Sequence, residues 1–408
     1  MRSIFYITYL IQKEMFIMIL IKNIEIYSPE YLGKNDVLIC FDKIAYISKN
    51  IQVPDKNFPE IRIIDGEGFT LTPGLIDLHV HIIGGGGEGG FTTRAPELNL
   101  TDFTSNGITT CVGLLGTDGT TRSMGSLLAK ARSLDEEGIS TYCWTGCYEM
   151  PTRTITDSAR GDIVLVDKII GVGEIAVSDH RSSNPSSEDL IHLASEARVG
   201  GMLSGKCGIL HIHIGDGKKG LTPVFNIVED SEVPYENLLP THVNRNPLAF
   251  KHSIEYAKNG GFIDITTGIK PEGDNALFAF DVYKTMLKEN ISPYNITMSS
   301  DSGGSMPIFD ENGKLLSLKI GLPSTNIETI RQCIENGISM EESLIPLTSS
   351  PAKFLKFKNK GKVSEGFDAD LLILDKKLNL NTVICKGKIM ISNYKPAVYG
   401  TFSKPSDS

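Results

Sequence analysis

What the sequence lacks narrows the field first. The 408-residue chain has no excess of basic residues; its formal net charge is −9 at pH 7. A nucleic-acid partner would favour a basic surface, so none is expected. A local pair of arginines can still bind a small anion on an acidic protein. The seven cysteines are odd in number and contain no Cys-x-x-Cys pair. That pattern does not make a disulfide framework, and a reducing cytoplasm is the expected location. There is no short-period repeat and no low-complexity tract. Residues 1–20 are apolar, but Lys13 and Glu14 interrupt them and no small-residue cleavage site follows. A signal peptide or anchor is the alternative there; we read Met1–Ile17 as an extension ahead of a start at Met18 and expect no membrane partner.

What is present is ordinary for a soluble globular protein: 40% hydrophobic and 22% charged residues. The length suits one large domain plus a small one. Both ends alternate in the manner of strands, in Ile19-Leu-Ile-Lys-Asn-Ile-Glu-Ile and again in Ala369-Asp-Leu-Leu-Ile-Leu-Asp. The middle alternates strand and helix eight times. Candidate strands are 75–82, 109–115, 140–145, 173–178, 209–214, 238–243, 262–266 and 296–300. The clearest helices are 126–137, 188–198, 248–258 and 276–289. The fold expected is α/β: a (β/α)₈ TIM barrel over 73–356, with a small β-sandwich-like domain built from 18–72 and 357–402.

Several polar residues then fall at strand ends. His79 and His81 alternate on the first strand and so share a face, where two imidazoles can grip one cation. Two histidines on a strand are by themselves a weak signal. His213 and His242, however, close the fifth and sixth strands, and Asp301 follows the eighth. Barrel enzymes build their sites at those ends. Glu174, on the fourth strand, is the acidic residue placed to lie between two cations. His180 also follows a strand, while His192, His211 and His252 are read as structural or surface residues.

At this point the residues resemble a known family. Pro73-Gly-Leu-Ile-Asp-Leu-His-Val-His81 is similar to the metal-binding opening of the amidohydrolase superfamily. Gly84-Gly-Gly-Gly-Glu88, Ser178-Asp-His-Arg181, Leu239-Pro-Thr-His-Val-Asn-Arg-Asn246 and Ser299-Ser-Asp301 resemble the isoaspartyl dipeptidases. The likeness runs from about Ile19 to Gly400. It implies two divalent metal ions, zinc foremost: one held by His79, His81 and Asp301, the other by His213 and His242. In that family a carbamylated lysine on the fourth strand is the usual bridge; here the position holds Glu174. Two such ions lower the pKa of a shared water. Asp301 would act as general base and then acid, and Tyr148 would donate to the oxyanion.

The resemblance also implies a small dipeptide substrate joined through a β-aspartyl bond, and a homo-oligomer is expected. Glu88, after four glycines that make a flexible loop, would take the free amino group. Arg181 and Arg245 would hold carboxylate, with Gly86, Thr117 and Ser305 completing its binding. The glycine run lacks the Gly-Lys-Ser/Thr ending of a phosphate loop. Competing readings are a cyclic-amide hydrolase or N-acetyl-sugar deacetylase, and an inactive scaffold barrel. The Gly₄-Glu loop and paired arginines speak against the first, and the intact ligand set against the second.

Overall fold

The computed structural model describes residues 18–53, 61–271, 276–309 and 315–403. The extension Met1–Ile17 lies outside them. Eight parallel strands form the barrel: β1 (Leu75–Val80), β2 (Ile108–Gly113), β3 (Ser140–Thr145), β4 (Ile169–Val177), β5 (Leu210–Ile214), β6 (Leu238–Thr241), β7 (Ile263–Thr266) and β8 (Ile296–Ser299). Strands β1 to β6 pair in sequence order, and β7 pairs with β8. Val243 N–H donates to the Asp264 carbonyl at 3.4 Å between β6 and β7. His81 N–H donates to the Ser302 carbonyl at 2.8 Å between β8 and β1. Every residue of β1, β2 and β4 is buried, because side chains fill one face and helices cover the other.

Helix starts are set by caps. Ser123 accepts from Ser126 N–H, so that helix begins at Met124, two residues before the hydrophobic pattern suggests. Ser186 and Asp189 form a capping box that starts Ser187–Ser204, and Gly205 in the left-handed region ends it. Asn246 caps Pro247–Lys258, with proline at its first position.

The two chain ends meet in one nine-stranded sheet. Thr70–Pro73 runs antiparallel to Leu371–Leu374, with Leu71 opposite Ile373. Alternate residues from both ends, among them Ile21, Ile24, Val37, Leu371 and Ile384, share a core separate from the barrel's. A buried cation ties the sheet to the barrel. Lys360 Nζ lies 2.5 Å from Asp370 Oδ2, 2.9 Å from Asp368 Oδ2 and 2.9 Å from Ser140 Oγ on β3. All seven cysteines are free. Among the described residues no helix is long and apolar enough to cross a membrane.

Removing one partner of a buried ion pair leaves the others uncompensated. Lys360→Ala should therefore destabilise the protein by about 3–5 kcal/mol, read as a lower urea midpoint with an unchanged denaturant slope. A midpoint within error of the parent would show that the cluster contributes nothing.

Candidate active site

The C-terminal ends of the strands bring six of the expected residues into one buried cluster. His79 comes from β1, with His81 just past its end, Glu174 from β4 and His213 from β5. His242 and Asp301 lie just beyond β6 and β8. Both of the last two have left-handed backbones, at φ 60° and 54°. Side chains rarely accept that conformation outside sites that need it. Asp77 fixes the turn carrying Asp301: its carboxylate accepts from Ser300 N–H at 3.2 Å and Asn326 Nδ2 at 2.9 Å.

Glu174 Oε2 is the hub. It lies 3.2 Å from His79 Nε2, 3.3 Å from His242 Nε2 and 3.5 Å from His213 Nδ1. Asp301 Oδ1 lies 3.4 Å from His79 Nε2 and 3.2 Å from His81 Nε2. Two donors about 2.0–2.1 Å from one tetrahedral ion stand roughly 3.3 Å apart, so these spacings suit shared cations. His79 Nε2 is buried without a hydrogen-bond partner, as a ligand lone pair would be. His79–His81–Asp301 and His79–Glu174–His242 each gather tightly enough to hold an ion. His213 joins the second group through Glu174 Oε2, 3.5 Å from its Nδ1, and by edge-on packing against His242, with ring centroids 4.7 Å apart.

Glu174 reaches the cluster through a bulge. Leu210 faces Val172 and Ile212 faces Ile175, so β4 carries one extra residue between these pairs. Gly173 occupies it; a Cβ there would stand 2.6 Å from His211 Cβ. Lys168, the nearest lysine in sequence, instead pairs with Asp135 at 3.0 Å.

Beside this cluster a cleft is lined by Gly86, Thr117, Tyr148, Arg181, Arg245 and Ser305. Tyr148 Oη stands 2.8 Å from His213 Nδ1. Burial first, then the Glu174 charge, pushes the phenol well above its usual pKa, so it remains a donor. Thr117 and Ser305 donate to Glu88 Oε1, at 3.1 and 2.8 Å, instead of standing ready for a carboxylate. Arg181 is likewise engaged, by Asp179 at 2.7 Å and by Glu88 at 3.3 Å. Two atoms are left over. Glu88 Oε2 and Arg245 Nε are buried with no hydrogen-bond partner.

The profile of the amidohydrolase family matches residues 70–390. The chain belongs to the amidohydrolase family. Among solved structures, this amidohydrolase resembles the β-aspartyl dipeptidase of Fervidobacterium islandicum AW-1 in complex with β-Asp-Leu. Identity is 44%, TM-score 0.87, and 93% of this chain and 98% of that one are covered. Dihydropyrimidinase from Brevibacillus agri shares the fold, at 17% identity, TM-score 0.65, and coverage of 95% and 100%. An adenine deaminase from Clostridium perfringens is 22% identical over 392 residues, covering 92% of this chain. The chain spans 59% of that relative's length.

Three neighbours of the site were not singled out for it by the sequence reading. His211, read as structural or surface, is buried with Nε2 at 2.8 Å from His79 Nδ1. The repeat His211-Ile-His213, spaced like His79-Val-His81, was its available signal. Asp179, inside the Ser178–Arg181 string, meets His213 Nε2 at 2.9 Å. Arg122 carries no motif. It donates to the carbonyls of Gly85 at 2.7 Å and Gly86 at 3.3 Å and so holds the glycine loop. The expectation that these glycines give flexibility is corrected accordingly. A Cβ at Gly84 would meet Ala95 O at 2.1 Å and one at Gly86 would meet Thr93 O at 2.6 Å, so they permit close packing.

Charge in this amidohydrolase is set by burial against pairing. Burial raises the pKa of Asp301, but the adjacent His79 and His81 imidazoles hold it well below the usual range. Burial lowers that of His79, yet Glu174 and Asp301 together raise it to about 9. Burial takes His242 down to about 3, leaving it neutral. In the metal-free chain a protonated His79 thus stands between two carboxylates, and a cation must displace that proton. Divalent-metal affinity should rise by about tenfold per pH unit from pH 6.5 to 9 and then level off. Competition titrations of metal-free protein would show it; a flat profile across that range would contradict the proton's position.

Proposed function

We propose that this amidohydrolase is a β-aspartyl (isoaspartyl) dipeptidase that works with two divalent ions, zinc foremost. The catalytic unit is 73–356, supported by a β unit of 18–72 and 357–402. One observation carries the reading: a buried carboxylate oxygen and a buried guanidinium N–H, Glu88 Oε2 and Arg245 Nε, both lack partners beside the imidazole cluster. A buried polar atom without a hydrogen-bond partner is costly, and a substrate with a free ammonium and a free carboxylate satisfies both. The 44% identical relative bound to β-Asp-Leu is consistent with this.

His79, His81 and Asp301 would hold one ion and His213 and His242 the other, with Glu174 as the remaining anionic ligand of the site. Bound there, the ions supply an acidified water and a Lewis acid for the scissile carbonyl. Asp301, ionised by its histidine partners, takes the proton of the attacking water and returns it to the leaving nitrogen. Tyr148, kept protonated, donates to the oxygen on which charge develops. Glu88, aimed by Thr117, Ser305 and Arg181, receives the substrate's ammonium. Arg245 takes a carboxylate, assisted by Arg181 and the Gly86 N–H. The free thiols fit a reducing cytoplasm. Leu316, Ile320 and Leu322, exposed on and just after the strand Leu315–Ile320 that pairs antiparallel with Ser305–Phe309, fit self-association into a homo-oligomer.

The test is turnover of β-Asp-Leu against α-Asp-Leu. Only the β-linked dipeptide should react; chelation should abolish the reaction and zinc restore it. Equal rates on both isomers, or full activity without metal, would refute the reading. Tyr148→Phe should lower kcat by about 10²–10³-fold with zinc content unchanged. Acetylating the substrate's amino group should raise KM for the parent and leave Glu88→Ala indifferent; the same acetylation penalty in both would remove Glu88 from this role.

A further inference from the structure

Asp179 belongs to none of the roles above, yet it touches two of them. Its carboxylate is almost fully buried. Oδ2 lies 2.9 Å from His213 Nε2 and 2.7 Å from Arg181 Nη2. Oδ1 accepts from Arg181 Nε at 3.0 Å and from the Arg181 backbone N–H at 2.8 Å. The surrounding backbone is shaped to admit it. Ser178 has a left-handed φ of 53°. Across from it, a Cβ at Gly215 would meet Asp179 Cβ at 2.4 Å, and one at Gly217 would meet Ser178 O at 2.5 Å. The two glycines of Gly215-Asp-Gly217 are therefore required by this turn.

The contact decides which nitrogen of His213 carries the proton. An ionised carboxylate only accepts. With Asp179 Oδ2 at 2.9 Å, Nε2 must be the N–H, and the lone pair falls on Nδ1. That nitrogen faces the site, 2.8 Å from Tyr148 Oη and 3.5 Å from Glu174 Oε2. Arg181 Nη2 also stands 3.4 Å from His213 Nε2, the poorer of the two contacts. Of the four clustered histidines, His79, His81 and His242 turn Nε2 inward, and His213 alone turns Nδ1.

We propose that Asp179 is a positioning residue: it fixes His213 with Nδ1 toward the second cation and sets the guanidinium of Arg181, so metal retention and substrate affinity depend on one carboxylate. A carboxylate behind a ligand histidine fixes its tautomer and raises its basicity, and such partners typically govern metal affinity by 10–100-fold. This rests on the dipeptidase reading for the cations and for Arg181.

The experiment is a zinc titration of the metal-free full chain against a chromophoric chelator, comparing the parent with Asp179→Asn. One of two affinities should fall by about 10–100-fold while the other stays within about threefold. In zinc-saturated Asp179→Asn, KM for β-Asp-Leu should rise by about tenfold, because Arg181 keeps Glu88 but loses its ion pair with Asp179. Two unchanged affinities, or equal weakening of both, would overturn the proposal. If the variant does not fold, ¹⁵N-histidine spectra of the zinc-loaded parent decide. One zinc-bound histidine should be ligated through Nδ1 and keep its Nε2–H; its absence overturns the proposal. Failure of the parent to take up any zinc would instead refute the metal-dependent reading beneath it.

Discussion

Two buried carboxylates facing four imidazoles are the constraint on which the site depends. Glu174 and Asp301 are almost wholly removed from water, and an isolated buried carboxylate is too costly to stay ionised. Both are nonetheless held well below their usual pKa by surrounding histidines. Negative charge is therefore concentrated near the barrel axis and must be met by positive charge. In the metal-free chain a proton on His79 meets part of it. Cations meet it better, because each can engage several ligands at once without the repulsion that two imidazoliums would add.

The barrel is modified locally to bring that charge in. A glutamate is shorter than a carbamylated lysine, so its backbone must come closer to the axis. The bulge at Gly173 on β4 shifts the strand by one residue, and the missing Cβ lets β4 pass His211. His211 in turn backs His79, stacked against Trp144 with ring centroids 5.4 Å apart. Burial and the His79 charge keep His211 neutral, which suits it to accept the His79 Nδ1–H. The anion, the glycine and the second histidine thus form one unit, and changing any of them moves the other two.

Much of this was legible in the sequence. Period-two alternation placed His79 and His81 on one face, and the barrel rule drew attention to His213, His242 and Asp301. Strand boundaries came within a few residues of those found, though β4 begins at Ile169, earlier than the run from Gly173. The rest was hidden for definite reasons. Arg122 acts through backbone carbonyls, which leave no mark in residue types. Thr117 and Ser305 were expected to bind carboxylate, but their hydroxyls are spent on Glu88. Asp179 lay inside a recognised string, yet string similarity does not say which atom a carboxylate faces. His211 looked like filling because two histidines on one strand usually are.

The central claim is that Glu174 itself supplies the anion between the cations. A carbamylated lysine forms only by taking up carbon dioxide, whereas a glutamate is ready as synthesised. The direct measurement is zinc uptake and recovered β-Asp-Leu turnover by metal-free protein, in carbon dioxide-free buffer with and without added bicarbonate. The account predicts identical stoichiometry and rate in both. A requirement for bicarbonate would contradict it, because the bridging charge would then come from a carbamate and not from Glu174.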